Sequence, residues 1–151
     1  MKINQTKKSL VASSVGLLFA AVCGQAFAAC DNASRLDAAQ IGALLAGNTV
    51  CVPAATVANM TWQELHSGGA TSGSLIDYKR GPGHAVDPSA TVGSYTVNGT
   101  GGGNSSVTHN YGTGGSFTYT VHGTGVVGSN HSFCAGATEI VGRVKPGGGA
   151  C

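Results

Sequence analysis

Charge is scarce in this chain. Its 151 residues hold eight lysines and arginines and six aspartates and glutamates, 9% of the total. No basic stripe runs through it, which excludes the electrostatic footprint of a nucleic-acid partner. Beyond residue 28 no second long apolar segment occurs, so no transmembrane segment is expected there. The familiar catalytic signatures are missing too. There is no HExxH, no P-loop and no dinucleotide fingerprint. There is no GxSxG: the serines of "GGSF" and "VGSY" lack the elbow spacing and its strand-to-helix context. No two cysteines form a CxxC pair, which argues against structural zinc. The sequence therefore names no activity, and no cofactor is expected.

What is present begins with a leader. "MKINQTKKS" carries Lys2, Lys7 and Lys8 and no acid, Leu10 to Val22 is apolar, and Ala26-Phe27-Ala28 has the small-x-small form that a signal peptidase cuts. The apolar run makes a helix of about 20 Å, too short for a bilayer core of about 30 Å. The reading is a signal peptide over 1–28, removed after Ala28, and a single disulfide-stabilised domain over 29–151, periplasmic or secreted. The alternatives are an N-terminal membrane anchor, or a lipoprotein with its lipid on Cys30; Phe27 stands where the second would favour leucine. Removing the leader leaves 123 residues with five bases (Arg35, Lys79, Arg80, Arg143, Lys145) and six acids (Asp31, Asp37, Glu64, Asp77, Asp87, Glu139), a net charge of −1.

Glycine makes up 23 of those 123 residues, against a usual ~7%. Each glycine inside an element costs roughly 0.5–1 kcal/mol more to order than alanine, so the chain needs a well-filled core or covalent support. Four cysteines follow the leader: Cys30, Cys51, Cys134 and Cys151. An even count in an exported chain reads as two disulfides, for which three pairings exist. The preferred pairing is Cys51–Cys134, joining two apolar runs, with Cys30–Cys151 clasping the termini. The rival joins Cys30 to Cys51.

One helix stands out. In "SRLDAAQIGALLAGN", Leu36, Ile41, Leu44 and Leu45 form an apolar stripe, Ser34 or Asp31 can cap the start, and Gly47 can end it in the left-handed region. After Gly47 the period becomes two. Val92, Ser94 and Thr96 oppose Tyr95 and Val97. Phe117, Tyr119 and Val121 oppose Thr118, Thr120 and His122. Val107, His109 and Tyr111 oppose Thr108 and Asn110. "GTGG" after Tyr111 reads as a hairpin loop. Seven or eight short antiparallel strands with one polar face must curl into a barrel or a sandwich. The expected fold class is thus all-β with one N-terminal helix.

The succession "GNTVC", "WQELH", "GSLIDYKRGPG", "VGSYTV", "VTHNYGTGGSFTYTV", "SFC" and "GAC" resembles a group of small, uncharacterised exported proteobacterial proteins. The resemblance implies a bacterial envelope address and a compact β-domain, and implies no activity. The sequons at Asn32, Asn59, Asn98, Asn104 and Asn130 then read as polar loops rather than glycosylation sites.

Chemistry-bearing side chains cluster in one region. Trp62, Glu64 and His66 share one face of a strand, Asp77, Tyr78 and Lys79 follow on the next, and His84 and Asp87 sit in "GPGHAVDP". Glu64, His66 and Asp77 would form an acid–base or metal cluster if the two strands pair in register. The plainer reading is a solvated face with Trp62 plugging the barrel. His109 reads as a satisfied, partly buried histidine, and His122 and His131 as surface. Three functions are carried forward. The favoured one is a binding or interaction module for an unidentified small molecule or protein. The others are a structural component of a surface layer, matrix or appendage, and a small exported hydrolase or metal-dependent enzyme.

Overall fold

The computed structural model describes residues 30–53, 62–78, 89–101 and 103–151. Lys79, His84 and Asp87 lie outside the described residues, as do residues 1–29 with the expected signal peptide.

Eight strands run up and down around one closed barrel: β1 (Thr49–Val52), β2 (Trp62–Gly68), β3 (Ser72–Asp77), β4 (Ala90–Asn98), β5 (Ser106–Asn110), β6 (Ser116–His122), β7 (Asn130–Ala135) and β8 (Thr138–Lys145). Every neighbour is antiparallel, and β8 closes on β1 with Val144 opposite Val50. Closure removes both sheet edges, so no strand is left with an unpaired row of amides. The barrel alternative is thereby chosen over the sandwich.

Alternation decides what faces inward. Along the registers, Val50 opposes Glu64, His66 opposes Leu75, Tyr95 opposes His109, Val107 opposes Tyr119, Val121 opposes Phe133, and Phe133 opposes Ile140. Val50, Leu75, Tyr95, Val107, Val121, Phe133 and Val144 are buried together. An eight-stranded barrel is just wide enough for side chains to fill it or for one small ligand. Here the middle is filled by side chains, including His66 and His109, both fully buried.

One end of the barrel is stoppered by α1 (Ala38–Leu45), which buries Ile41, Leu44 and Leu45 and packs against β4 and β5. Its N-cap is Asp37, not Ser34 or Asp31. The Asp37 carboxylate accepts from the Gln40 amide N–H while the Gln40 side chain accepts from the Asp37 N–H, a capping box. Asp31 instead accepts from the Ser34 N–H and shapes a short 3-10 turn over Asn32–Ser34. Gly47, at φ 73°, ends the helix as expected. Gly42 lets the helix lie against the β2–β3 turn: a Cβ there would stand 2.3 Å from the Ala70 carbonyl oxygen.

The disulfides are Cys30–Cys134 and Cys51–Cys151; the expected pairing, Cys51–Cys134 with Cys30–Cys151, is corrected. Cys51 and Cys134 lie on β1 and β7 with β8 between them. Strands two places apart are separated by about 9–10 Å, beyond the roughly 7 Å that a disulfide tolerates between Cα atoms. Both cysteines also alternate with interior residues, so they face outward. They are buried because each is covered by a terminal segment. The C-terminal segment lies over β1 and β2, where Thr49 Oγ1 donates to the carbonyls of Gly147 and Gly149 and the Gln63 amide oxygen accepts from the Cys151 N–H. That cover explains why all four residues of β1 are buried. The disulfide at Cys30 also occupies the sulfur that a lipid would need.

Candidate functional site

At the end opposite α1, here termed the mouth, β1, β3, β5 and β7 finish and β2, β4, β6 and β8 begin; the connections 54–61 and 79–88 at this end lie outside the described residues. The β2–β3 register sets Glu64 directly opposite Asp77 and His66 opposite Leu75. Of the expected cluster, Glu64, His66 and Asp77 therefore share one interior wall. Trp62 lies at the rim of the same face and packs partly on the core. Tyr78 alternates with Asp77, and its N–H donates to the Gln63 carbonyl; it belongs to the outer wall.

Two groups from across the barrel complete the arrangement. His109, on β5, and Tyr111, just after it, reach the Glu64–His66 wall through the interior, because β5 stands two strands beyond β3. Tyr111 Oη lies 2.8 and 2.9 Å from the two Glu64 carboxylate oxygens. His109 Nδ1 is 3.4 Å from Tyr111 Oη and 3.8 Å from Glu64 Oε2. His109 Nε2 is 3.1 Å from His66 Nε2. A continuous polar chain thus runs from the mouth to the centre: Glu64, Tyr111, His109, His66. Tyr95 stacks edge-on against His66, with ring centres 4.9 Å apart, and Tyr119 does the same to His109 at 5.5 Å. Phe117 lies 6.0 Å from Tyr111, ring to ring, and is 46% exposed, which makes it part of the aromatic rim.

Burial dominates the electrostatics. It pushes the Glu64 carboxyl up to about 7; Asp77 adds to the rise, and the Tyr111 hydroxyl opposes it. It pushes His109 down to about 4. His66 falls well below the ordinary histidine range, through burial and then the neighbouring His109. Tyr111 is raised, by burial and by the Glu64 carboxylate beside it. The four groups are thus an acid poised near neutrality, two neutral imidazoles and a neutral phenol. No three His, Cys, Asp or Glu side chains among the described residues are grouped to hold a metal ion.

His122 and His131, expected at the surface, are 4% and 1% exposed. His131 alternates with Phe133 and so faces inward; its Nε2 accepts from the Gly125 N–H and its Nδ1 donates to the Ser129 carbonyl. His122 faces outward but is roofed by the N-terminal segment that Cys30 ties down, with Nδ1 2.6 Å from the Asp31 carbonyl. Beside it, an outer pocket of about 200 Å³ is bounded by Ser34, Asn130, Ser132, Glu139 and Val141. Ser132 is adjacent to His122 across the ladder, but its hydroxyl donates to Glu139 at 2.6 Å, so no serine–histidine nucleophile forms there.

The site members missed by sequence reasoning are Tyr111 and His109. Their shared face was legible. Their partner was not, since it lies across a barrel rather than along a ladder. No family model, curated protein or solved structure matches the chain.

Proposed function

We propose that the protein is an exported binding module that takes a small molecule at the barrel mouth. The observation that carries this reading is the pairing of Glu64 with Asp77 at the end not stoppered by α1, inside a rim of Trp62, Tyr111 and Phe117. Two carboxyl groups side by side recognise an ammonium or hydroxyl donor, and the aromatic rim supplies flat apolar area. The ligand class is therefore a small amine or polyol with an apolar face. The two disulfides fit an oxidising, non-cytoplasmic compartment, and no helix among the described residues is long and apolar enough to cross a membrane. A closed barrel offers no free edge for the edge-to-edge assembly that a surface-layer component would use.

The test uses Trp62, the only tryptophan. Its fluorescence is titrated with benzylamine, benzyl alcohol, glucose and peptidoglycan fragments. Saturable quenching by at least one probe, weakened at least tenfold in Glu64→Gln or Asp77→Asn, is the expected result. If no probe changes the signal, or if both variants bind unchanged, the mouth is not the recognition site.

A further inference from the structure

The polar chain has a property that its members lack singly. His66 Nε2 and His109 Nε2 face each other at 3.1 Å inside the core, and both rings are neutral, so one of these nitrogens carries a hydrogen and the other does not. Tyr111 has one hydroxyl hydrogen and two claimants, Glu64 and His109 Nδ1. The orientation of each bond therefore constrains the next.

We propose that the protonation state of Glu64 sets the direction of the whole hydrogen-bond chain, so that the mouth presents a charged carboxylate in one order and a neutral carboxyl in the other. The first order has Glu64 ionised. Tyr111 donates to the carboxylate, His109 carries its hydrogen on Nδ1 and donates toward Tyr111, and His66 donates from Nε2 to the bare His109 Nε2. In the second order Glu64 has taken one proton from solvent and donates to Tyr111 Oη. Tyr111 now donates to His109 Nδ1, the His109 hydrogen sits on Nε2 and is given to His66 Nε2, and the His66 hydrogen moves to Nδ1. One proton is gained in total, and two imidazoles change tautomer without becoming charged.

The surroundings support both orders. His66 Nδ1 makes no full hydrogen bond among the described residues, so it can be bare in the first order, while the Glu64 main-chain carbonyl favours a proton on this ring in the second. Among the described residues, the titratable groups facing the chain are Asp77 from β3, Tyr95 from β4 and Tyr119 from β6; β1 opposes Glu64 with Val50, which does not titrate. With Glu64 pushed up to about 7 and His109 down to about 4, the reversal falls where neither imidazole is charged. The consequence for recognition rests on the mouth being the binding site; the reversal itself does not. An amine ligand meeting ionised Glu64 would lose affinity about tenfold per pH unit below the transition.

Nitrogen-15 NMR of the oxidised full chain reads the tautomers directly, without ligand, between pH 5 and 9. The expected result is that His66 and His109 change tautomer together, with one midpoint near 7 and no imidazolium shift. Glu64→Gln, whose amide does not titrate, should hold both rings in a single order throughout. Tyr111→Phe should uncouple His109 from pH over the same range. Fixed tautomers in the wild type, two separate midpoints, doubly protonated rings near pH 6, or switching that persists in Glu64→Gln would each overturn the proposal. A Trp62 titration with benzylamine at pH 6 and 8 then tests the mouth separately: no binding at either pH sinks the binding reading and leaves the tautomer result standing.

Discussion

A carboxyl group at Glu64, 6% exposed, has a thermodynamic cost that appears only when it ionises. Its pKa rises from 4.5 to about 7 on folding, so the unfolded chain releases this proton first. Stability from this residue is therefore fully present below about pH 4.5 and is lost as pH rises to 7, by about 3 kcal/mol in all. The buried histidines act in the opposite sense. His66 and His109 are depressed, so their contribution is present above the unfolded histidine pKa near 6.5 and is lost as pH falls toward about 4. The two effects overlap in the wild type, and a single variant separates them. Glu64→Gln should match the wild type within about 1 kcal/mol at pH 5 and exceed it by about 2–3 kcal/mol at pH 8, measured by urea denaturation. A stability difference that does not grow with pH would show that Glu64 is not held neutral by the fold.

Among the elements, α1 has a larger role than its eight residues suggest. It closes one end of a barrel whose interior is otherwise lined by strands, and Ile41, Leu44 and Leu45 are completely buried under it. Leu44→Ala should cost 2–5 kcal/mol. Asp37→Ala, which removes the capping box alone, should cost about 1 kcal/mol. If denaturant midpoints show the reverse order, the helix is an ornament on the barrel rather than its stopper. The helix was legible because its stripe has a 3.6-residue period; its start was displaced by three residues because Asp31, Ser34 and Asp37 are all competent caps, and only the Gln40 side chain distinguishes the last. The strands were legible for the same kind of reason, as runs such as Phe117, Tyr119 and Val121 alternate cleanly. Half of the candidate site followed from that alternation: Glu64, His66 and Asp77 meet because neighbouring strands pair in register. The other half did not, since Tyr111 meets Glu64 only after the sheet has closed on itself. The disulfide pairing failed for a related reason. Cys51 and Cys134 lie in apolar runs and are buried, yet both face outward beneath terminal segments.

For the whole molecule, the two bridges enclose sequence separations of 104 and 100 residues. A loop of that size is worth about 4–5 kcal/mol in the chain-entropy model. Peptide mapping without reduction should give a Cys30–Cys134 peptide and a Cys51–Cys151 peptide. A Cys51–Cys134 peptide would contradict both the barrel order and the outward facing of these residues. The connectivity also shapes the response to a pull. If residue 30 and residue 151 are drawn apart, tension passes from Cys30 directly into Cys134, and from there only seventeen residues of backbone lead to Cys151. Even fully extended, that path reaches about 60 Å. The segment between Cys51 and Cys134, which holds the interior polar chain, lies off this shortest covalent route. Tugging at the ends would load β8 first, so the molecule behaves as a short tether whose interior polar chain stays off the loaded covalent route.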